Sequence, residues 1–335
     1  MKTLEQIRAE LKSYAIEVEF PDIGRWQQGN TGVDYVHTFD SGVAGPHVMI
    51  MALTHGNEVS GAIAVDTLLR ARLRPRHGRV TLAFANFEAY GRFDASKPDT
   101  SRFVDEDLNR VWSASRLDGT DDSWELRRAR ALRPIIDKVD FLLDLHSMSE
   151  SSPPLMLSGP LDKGIRFALE VGVPEHVIVD AGHKNGTRMR DYGGFGDPAS
   201  PKNALLIETG QHFERAAQNV ALDAACRFLI KTNGTAPGSD FRDYLLPLPA
   251  KQQVLEVTHA IAAESMDVEF LRELRGLDVI DRAGTAIARD GKHQITTPYN
   301  NCVIIMPGLR QLRPGVTVMR LARLRNKGLS RRGKK

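Results

Sequence analysis

His55 and Glu58 are side chains whose types and spacing suit metal binding. An imidazole nitrogen and a carboxylate oxygen are both ordinary zinc ligands, and side chains three positions apart can reach one ion. Gly56 lies between them and can adopt backbone angles that residues with a side chain avoid. A catalytic zinc also needs a third protein ligand and one open position. The pair therefore predicts part of a catalytic metal site.

Two further stretches deliver a chemically useful side chain after an apolar run. Residues 140–147 read DFLLDLHS and carry His146, with Asp144 two residues earlier on the same face of an extended strand. From that position Asp144 can contact the site or orient a ligand. Residues 204–210 read ALLIETG and deliver Glu208. One strand end thus presents His55 and Glu58, a second presents His146 and a third presents Glu208. This arrangement predicts a metal site with a general base.

The elements that must position these side chains follow from the spacing of apolar residues. Residues 47–53 form an apolar run that predicts a buried strand, residues 59–73 have helical spacing, and residues 79–86 predict the next strand. Strand, helix and strand in this order indicate a βαβ unit and a mostly parallel sheet. The HGNE stretch then lies on a strand-to-helix turn, where loops carry chemistry on rigid supports.

Two segments outside these elements also carry expectations. Residues 87–107 form a long irregular stretch, and such loops in compact domains are usually functional or disordered. Its end holds several charged side chains, which favours function. Residues 13–20 alternate enough between polar and apolar types to predict a further strand.

Four motifs in a fixed order give the chain a family resemblance. They are HGNE at 55–58, SRFVDEDLNR at 101–110, DLHS at 144–147 and IETG at 207–210. In this order they resemble the succinylglutamate desuccinylase/aspartoacylase family of zinc carboxypeptidase-like hydrolases. The resemblance covers about residues 45–210 and extends weakly to residues 298–302. It implies an α/β fold with a mostly parallel or mixed sheet flanked by helices, and a smaller C-terminal β domain.

The resemblance also implies roles for individual residues. It implies one Zn²⁺ per chain, held by His55, Glu58 and His146, with Glu208 as the general base. It further implies that Arg102 acts on the scissile carbonyl, that Asn109 and Arg110 hold a substrate carboxylate, and that Asp107 orients the ligands. The alternative for the two arginines is an ion-pair network that stabilises the loop.

Two more substrate contacts follow from the resemblance. Arg190 is the predicted substrate-binding arginine of the glycine-rich loop, although Arg188 could take the same role. Tyr299 of the C-terminal β domain is the second predicted contact, and its alternative is an ordinary strand aromatic.

Length, composition and charge define the general class of protein. The chain has 335 residues, and composition shifts predict a catalytic domain at 1–240, a β domain at 241–324 and a basic, disordered tail at 325–335. The net charge of +3 argues against a nucleic-acid partner. Cys226 and Cys302 are expected in the core rather than in a disulfide. Without a secretory signal or an 18-residue apolar run, a cytoplasmic protein that binds no membrane is predicted, with homo-oligomerisation left open.

The resulting hypothesis is a zinc-dependent amidohydrolase that cleaves the amide bond of a small N-acyl amino acid. One rival is a zinc carboxypeptidase that trims peptides. The other is a catalytically silent module that binds zinc or carboxylates, against which Glu208 argues, because a silent binder needs no general base.

Overall fold

The structure, a computed structural model, describes residues 3–182, 185–232 and 239–325. Its helices are α1 (Leu4–Glu10), α2 (Val59–Arg70), α3 (Phe87–Gly91), α4 (Ala114–Leu117), α5 (Trp124–Ile136), α6 (Asp162–Val171) and α7 (Arg215–Lys231). Its strands are β1 (Val36–Asp40), β2 (His47–Ala52), β3 (Arg79–Phe84), β4 (Phe141–Met148), β5 (Leu155–Leu157), β6 (His176–Val179), β7 (Asn203–Gln211), β8 (Gln253–Ala262), β9 (Val268–Phe270), β10 (Val279–Ile280), β11 (Ala286–Asp290), β12 (His293–Thr296), β13 (Cys302–Ile305) and β14 (Thr317–Leu324). Short 3₁₀ helices span Gly24–Trp26, Pro98–Ser101, Leu108–Arg110, Met189–Asp191, Gly193–Phe195 and Ser239–Tyr244.

One large mixed sheet organises the molecule. Its strand order is β1-β3-β2-β4-β7-β5-β6-β8-β14-β13-β10, and a smaller antiparallel sheet has the order β12-β11-β9. The central strands β3, β2, β4 and β7 are mutually parallel, so their carboxyl ends meet at one edge. The predicted fold class, a mixed sheet flanked by helices with a smaller C-terminal β region, is confirmed.

Strand β2 shows why the central strands are apolar throughout. All of its residues are buried. Val48 and Ile50 pack into the core on the face covered by α2 and α7, whereas Met49 and Met51 pack into a second core beside α5. A parallel strand covered on both faces needs a continuous apolar run, which is the pattern that identified it.

The C-terminal strands continue the large sheet. Strand β8 pairs in parallel with β6, and β14 then pairs with both β8 and β13. The division into domains at residue 240 stays a prediction, since the sheet itself runs on from β6 to β8. Of the predicted basic tail, residues 326–335 lie outside the described residues, and the Arg325 guanidinium lies 3.6 Å from Asp162 Oδ1.

Residues 13–20 were predicted to form a strand, and this was wrong. They run without regular secondary structure, and the Glu17 N–H donates to the carbonyl oxygen of Phe213. Val18 packs with Val59 and Phe213, so packing rather than strand pairing explains the alternation. Within the described ranges, no helix is long and apolar enough to cross a lipid bilayer.

Candidate metal centre and active site

The turn from β2 into α2 carries His55 and Glu58. Gly56 sits where a Cβ atom would lie 2.4 Å from the Ser101 carbonyl oxygen and 2.4 Å from a backbone carbon of Ala89, so no larger residue fits without movement. Its N–H donates to the Arg102 carbonyl oxygen. The turn is therefore fixed against the loop that contains the DLNR motif.

Glu58 lies between two imidazole rings. Its Oε1 atom is 2.7 Å from His55 Nδ1, and its Oε2 atom is 2.8 Å from His146 Nδ1. Glu58 is the N-cap residue of α2, yet its side chain makes no capping hydrogen bond. The three side chains are buried, and one ligand atom from each lies within 4.8 Å of the others. This is the grouping that the sequence predicted.

The outer nitrogen of each ring faces a carboxylate. His55 Nε2 is 2.9 Å from Asp107 Oδ1, and His146 Nε2 is 2.8 Å from Asp144 Oδ2. The Thr54 hydroxyl in turn donates to Asp144 Oδ1. A carboxylate behind a histidine fixes the ring orientation and raises its basicity as a metal ligand. Nδ1 of each ring is thereby left for an ion.

The charges of the cluster suit a cation. Burial alone would raise the pKa of Glu58, yet the charges of His55 and His146 outweigh it and hold that pKa well below its ordinary value. Burial opposes protonation of His146, but Asp144 and Glu58 raise its pKa well above the ordinary value. A proton on the His146 ring thus balances negative charge of the carboxylates, and such a ligand loses its proton when a metal binds. The donor set therefore fits a divalent metal ion.

Glu208 emerges from β7 directly opposite His146 in the strand register. Its side chain is buried, and its Oε2 atom makes no hydrogen bond to the described protein atoms. Burial, followed by the nearby Glu58 carboxylate, raises the pKa of Glu208 to about 8. An ionised carboxylate in this position needs a positive partner or a proton.

Arg102 lies against the same cluster. Its Nη1 atom is 3.3 Å from Glu58 Oε1, and its Nη2 atom is 3.3 Å from Asp107 Oδ2 and 2.9 Å from His55 Nε2. The Arg102 side chain is 21% exposed, so part of it faces solvent while its guanidinium group contacts the carboxylates of Glu58 and Asp107. Its position suits the predicted action on a substrate carbonyl.

Glu125 of α5 holds the loop that carries Arg102 and Asp107. Its carboxylate accepts hydrogen bonds from the backbone N–H groups of residues 104, 105 and 106, at 2.7, 3.1 and 3.2 Å. It also accepts one from the Asn86 side chain. No local sequence pattern indicates this role, because Glu125 looks like any acidic residue in the first turn of a helix.

Asn109 and Arg110 follow in the next turn of the loop. Asn109 is buried, and its Oδ1 atom accepts a hydrogen bond from the Met189 N–H, which ties the loop to the segment before β7. Arg110 Nη1 donates to the Asn109 carbonyl oxygen, and its Nη2 atom is 3.8 Å from Asp107 Oδ2.

Arg188 and Arg190 are both directed into the protein interior. Arg190 donates to the carbonyl oxygens of Ser158 and Ala204 and contacts Asp191. Ala204 lies at the start of β7, four residues before Glu208, which is about 13 Å along a strand. The predicted substrate contact of Arg190 gains no support, because its guanidinium holds backbone oxygens at the far end of β7.

Arg188 also makes ion pairs inside the protein. Its side chain pairs with Asp180 at 3.1 Å and with Asp191 at 2.7 Å.

Tyr299 is predicted to reach the pocket. Its hydroxyl group instead shares a hydrogen bond of 2.6 Å with the Thr258 hydroxyl, and its ring packs against the core of the C-terminal strands. The structure does not bring Arg188 or Tyr299 together with the metal-binding cluster.

Comparison with known proteins identifies the family. The sequence profile of the Succinylglutamate desuccinylase/Aspartoacylase catalytic domain matches residues 44–225. The chain belongs to this family. The predicted resemblance is thereby confirmed.

Solved structures of family members share the fold. Succinylglutamate desuccinylase from Vibrio cholerae superposes with a TM-score of 0.65 over 87% of this chain and 86% of that chain, at 17% identity. A succinylglutamate desuccinylase/aspartoacylase from Rhodobacter sphaeroides gives 0.63 over 88% and 90%, at 16% identity. At this level of identity the likeness concerns the fold alone.

A curated relative is closer in sequence over a shorter stretch. It is the N-acyl-aromatic-L-amino acid amidohydrolase (carboxylate-forming) of Xenopus tropicalis, 30% identical over 133 residues. The match spans 37% of this chain and 40% of the relative, so it covers about two fifths of that protein's length.

Two residues that interact with the site are not predicted from the sequence to belong to it. His212 is buried four residues after Glu208, and its Nδ1 atom lies 2.8 Å from the Ser147 hydroxyl. Burial lowers the pKa of His212 to about 3, which keeps its ring neutral. Arg320 of β14 is buried and attracts Glu208 electrostatically. A single cation inside the apolar run VMRLA was the available signal for Arg320.

Proposed function

We propose that this protein is a zinc-dependent amidohydrolase that cleaves the amide bond of a small N-acyl amino acid. The observation that carries the proposal is Glu208, a buried carboxylate opposite His146 in the strand register, whose Oε2 atom has no hydrogen-bond partner among the described protein atoms. His146 is one of the three side chains whose metal-ligand atoms converge. The family and the amidohydrolase relative support the reaction class.

His55 Nδ1, Glu58 and His146 Nδ1 would hold the ion, with Asp107 and Asp144 orienting the two rings. A zinc ion held there supplies Lewis-acid chemistry, which activates water and polarises a carbonyl group. Nitrogen and oxygen donors discriminate weakly among divalent metals by affinity alone, so the assignment to zinc rests on the family.

Glu208 would move the proton. It accepts one from the attacking water as the oxygen adds to the amide carbon, and it passes that proton to the amine nitrogen as the C–N bond breaks. A water molecule is thereby added across the amide, giving a carboxylate and a free amine. Without a metal, burial and the Glu58 charge raise the pKa of Glu208 to about 8, and a bound cation would favour the ionised form that accepts a proton.

The two arginines of the DLNR loop would act on the substrate. Arg102 would donate to the carbonyl oxygen as negative charge develops there, which is the charge that a prepositioned donor stabilises most. Arg110 would hold the free carboxylate of the substrate, because a guanidinium matches a carboxylate with two parallel hydrogen bonds.

The direct test is a hydrolysis screen of the zinc-loaded protein over N-succinyl, N-acetyl and N-formyl derivatives of acidic, aliphatic and aromatic amino acids. We expect one class to be hydrolysed by wild type, and activity to disappear with a chelator and in Glu208→Gln. Cleavage of C-terminal residues from long peptides instead would identify a carboxypeptidase. If no compound is hydrolysed, the result would favour a catalytically silent module that binds zinc or carboxylates.

A further inference from the structure

The ammonium group of Lys163 lies among backbone carbonyl oxygens of the loop at 193–202. Lys163 is the second residue of α6, and its side chain extends into this glycine-rich loop. Its Nζ atom contacts four carbonyl oxygens, those of Gly194 at 2.9 Å, Asp197 at 2.6 Å, Ser200 at 3.0 Å and Lys202 at 2.7 Å. We call these four oxygens the carbonyl cage.

The carbonyl cage has more acceptors than the ammonium group has donors. An ammonium group carries three N–H donors, so four carbonyl oxygens cannot each receive a hydrogen bond of their own. What all four share is the attraction between a partly negative oxygen and a cation. Converging carbonyl oxygens of this kind replace the hydration shell of K⁺ in selective pores. All four oxygens belong to neutral peptide groups, whereas hard divalent ions are usually held by carboxylates as well. The donor set therefore suits a monovalent cation.

The glycines of the loop allow these carbonyls to converge. A Cβ atom at Gly194 would lie 2.7 Å from Ser200 Oγ and 3.0 Å from Lys202 Cδ, and one at Gly196 would lie 2.3 Å from the Asp191 carbonyl oxygen. Residues with side chains would therefore push the segments of the loop apart. The glycine content of this loop is explained by the close approach of its own backbone around a cation.

The carbonyl cage is joined to the strand that carries the general base. Lys202, which supplies one of the four oxygens, directly precedes β7, the strand of Glu208. The Asn203 side chain at the start of β7 donates to the Lys163 carbonyl oxygen at 2.9 Å. Phe195 of the loop packs into the core beside α5. Lys163 therefore holds the loop with its side chain and the start of β7 with its backbone.

We propose that the carbonyl cage is a binding site for a monovalent cation, which the Lys163 ammonium group fills from within the chain. The cage should accept K⁺ or NH₄⁺ when that group is removed, because both ions resemble an ammonium group in charge and size. The inference concerns the order of the loop and does not depend on the proposed hydrolytic function.

Two variants of Lys163 differ in whether an ion can enter. Lys163→Ala removes the ammonium group and leaves its space open. Lys163→Met also removes the charge, but its longer side chain still occupies much of that space. In NaCl both variants should have a lower Tm than wild type, because the four carbonyl oxygens lose their cation.

The Tm of Lys163→Ala should rise with the concentration of KCl or NH₄Cl, and more than in NaCl at the same concentration. An ion that binds only the folded protein stabilises it by mass action, and Na⁺ is smaller than the group around which the cage is built. The Tm of Lys163→Met should be the same in KCl and NaCl. Identical Tm curves of Lys163→Ala in NaCl and KCl overturn the proposal. An equal gain in KCl for both variants would be a general salt effect and overturns it as well.

Wild type and Lys231→Ala serve as controls. Lys231 pairs with Glu170 at 2.9 Å, and its side chain is 40% exposed, so its loss opens no carbonyl cage. Neither control should distinguish KCl from NaCl, because Lys163 already fills the cage in both.

A measurement on wild type tests the proposal even if the Lys163 variants do not fold. Lysines are labelled with a low concentration of an amine-acylating reagent, and the rate at each position is followed by peptide mass spectrometry. Lys163 should react many times more slowly than Lys231, because its amine must leave four carbonyl oxygens before it can be acylated. Equal rates at Lys163 and Lys231 would show that the ammonium group does not occupy the cage, and this overturns the proposal.

Discussion

Asp144 and His146 lie two residues apart on β4, and Asp144 Oδ2 is 2.8 Å from His146 Nε2. Because alternate residues of a strand share a face, the strand itself places the carboxylate behind the ring. His146 Nδ1 is thereby turned toward Glu58, 2.8 Å away. The backbone of β4 in the core therefore sets the orientation of the predicted metal ligand His146.

Asp144→Asn should weaken zinc binding about 10- to 100-fold, the usual cost of losing a carboxylate behind a histidine ligand. Competition with a chromophoric chelator measures the affinity directly. Asp223→Asn is the control, since Asp223 is also a buried carboxylate but pairs with Arg227 on α7. Unchanged zinc affinity in Asp144→Asn would contradict the orienting role.

His146→Ala should remove most of the zinc, because two protein ligands rarely retain a catalytic zinc. Elemental analysis of the purified protein should give about one zinc per chain for wild type and little for the variant. His176→Ala, a histidine at the start of β6, should keep the wild-type zinc content. Equal zinc in His146→Ala and wild type would show that the ligand set is wrong.

Glu208→Gln should keep its zinc and its fold but lose about 10²–10⁴-fold in turnover. The amide fills the same space but cannot accept the proton of the attacking water. Steady-state kinetics on the best substrate of the screen, with zinc content measured in parallel, checks this. Turnover within a few-fold of wild type would make Glu208 a structural residue.

The stability of the metal-free protein should depend on Glu208 and on pH. Burial and Glu58 raise its folded-state pKa from an ordinary value of 4.5 to about 8. Between these values the folded protein holds a proton that the unfolded chain releases. The stabilisation is complete below pH 4.5 and is lost progressively as the pH rises to about 8, by about 1.4 kcal/mol per pH unit.

Glu208→Gln removes this titration. In a chelator, the variant should gain stability relative to wild type as the pH rises from 4.5 to about 8, and keep the gain above that. Urea unfolding at several pH values measures the difference in free energy of unfolding. Parallel curves for the two proteins would mean that Glu208 ionises normally in the folded state.

Arg102 and Arg110 should separate kinetically. Arg102→Ala should mainly lower kcat, because its donors act on charge that appears in the transition state. Arg110→Ala should mainly raise KM, by a factor that corresponds to about 1.5–3 kcal/mol. Because Arg102 contacts Glu58 at 3.3 Å, its variant needs a zinc determination alongside the kinetics. If Arg110→Ala changes neither parameter, Arg110 belongs to a structural ion pair with Asp107.

The sequence was most informative where chemistry and secondary structure coincide. His55, His146 and Glu208 each follow an apolar run, so their placement at one sheet edge depends only on local patterns and on the rule that parallel strands end together. Arg190 and Tyr299 lie in segments whose orientation depends on distant partners, namely the Ser158 carbonyl and Thr258. Such contacts are set by tertiary packing, which no local pattern reveals.

Strand β14 lies between β8 and β13 in the sheet, although it follows both in the chain. During synthesis on the ribosome, β8 and β13 therefore emerge with a gap between them, each offering unpaired backbone groups on the facing edge. When β14 pairs with β8, Arg320 comes to lie opposite Ala260, which is far away in the sequence. Strand pairing between distant segments forms slowly. Folding intermediates should accordingly expose these two edges, which makes this part of the sheet a point of recognition for chaperones and a point of risk for aggregation.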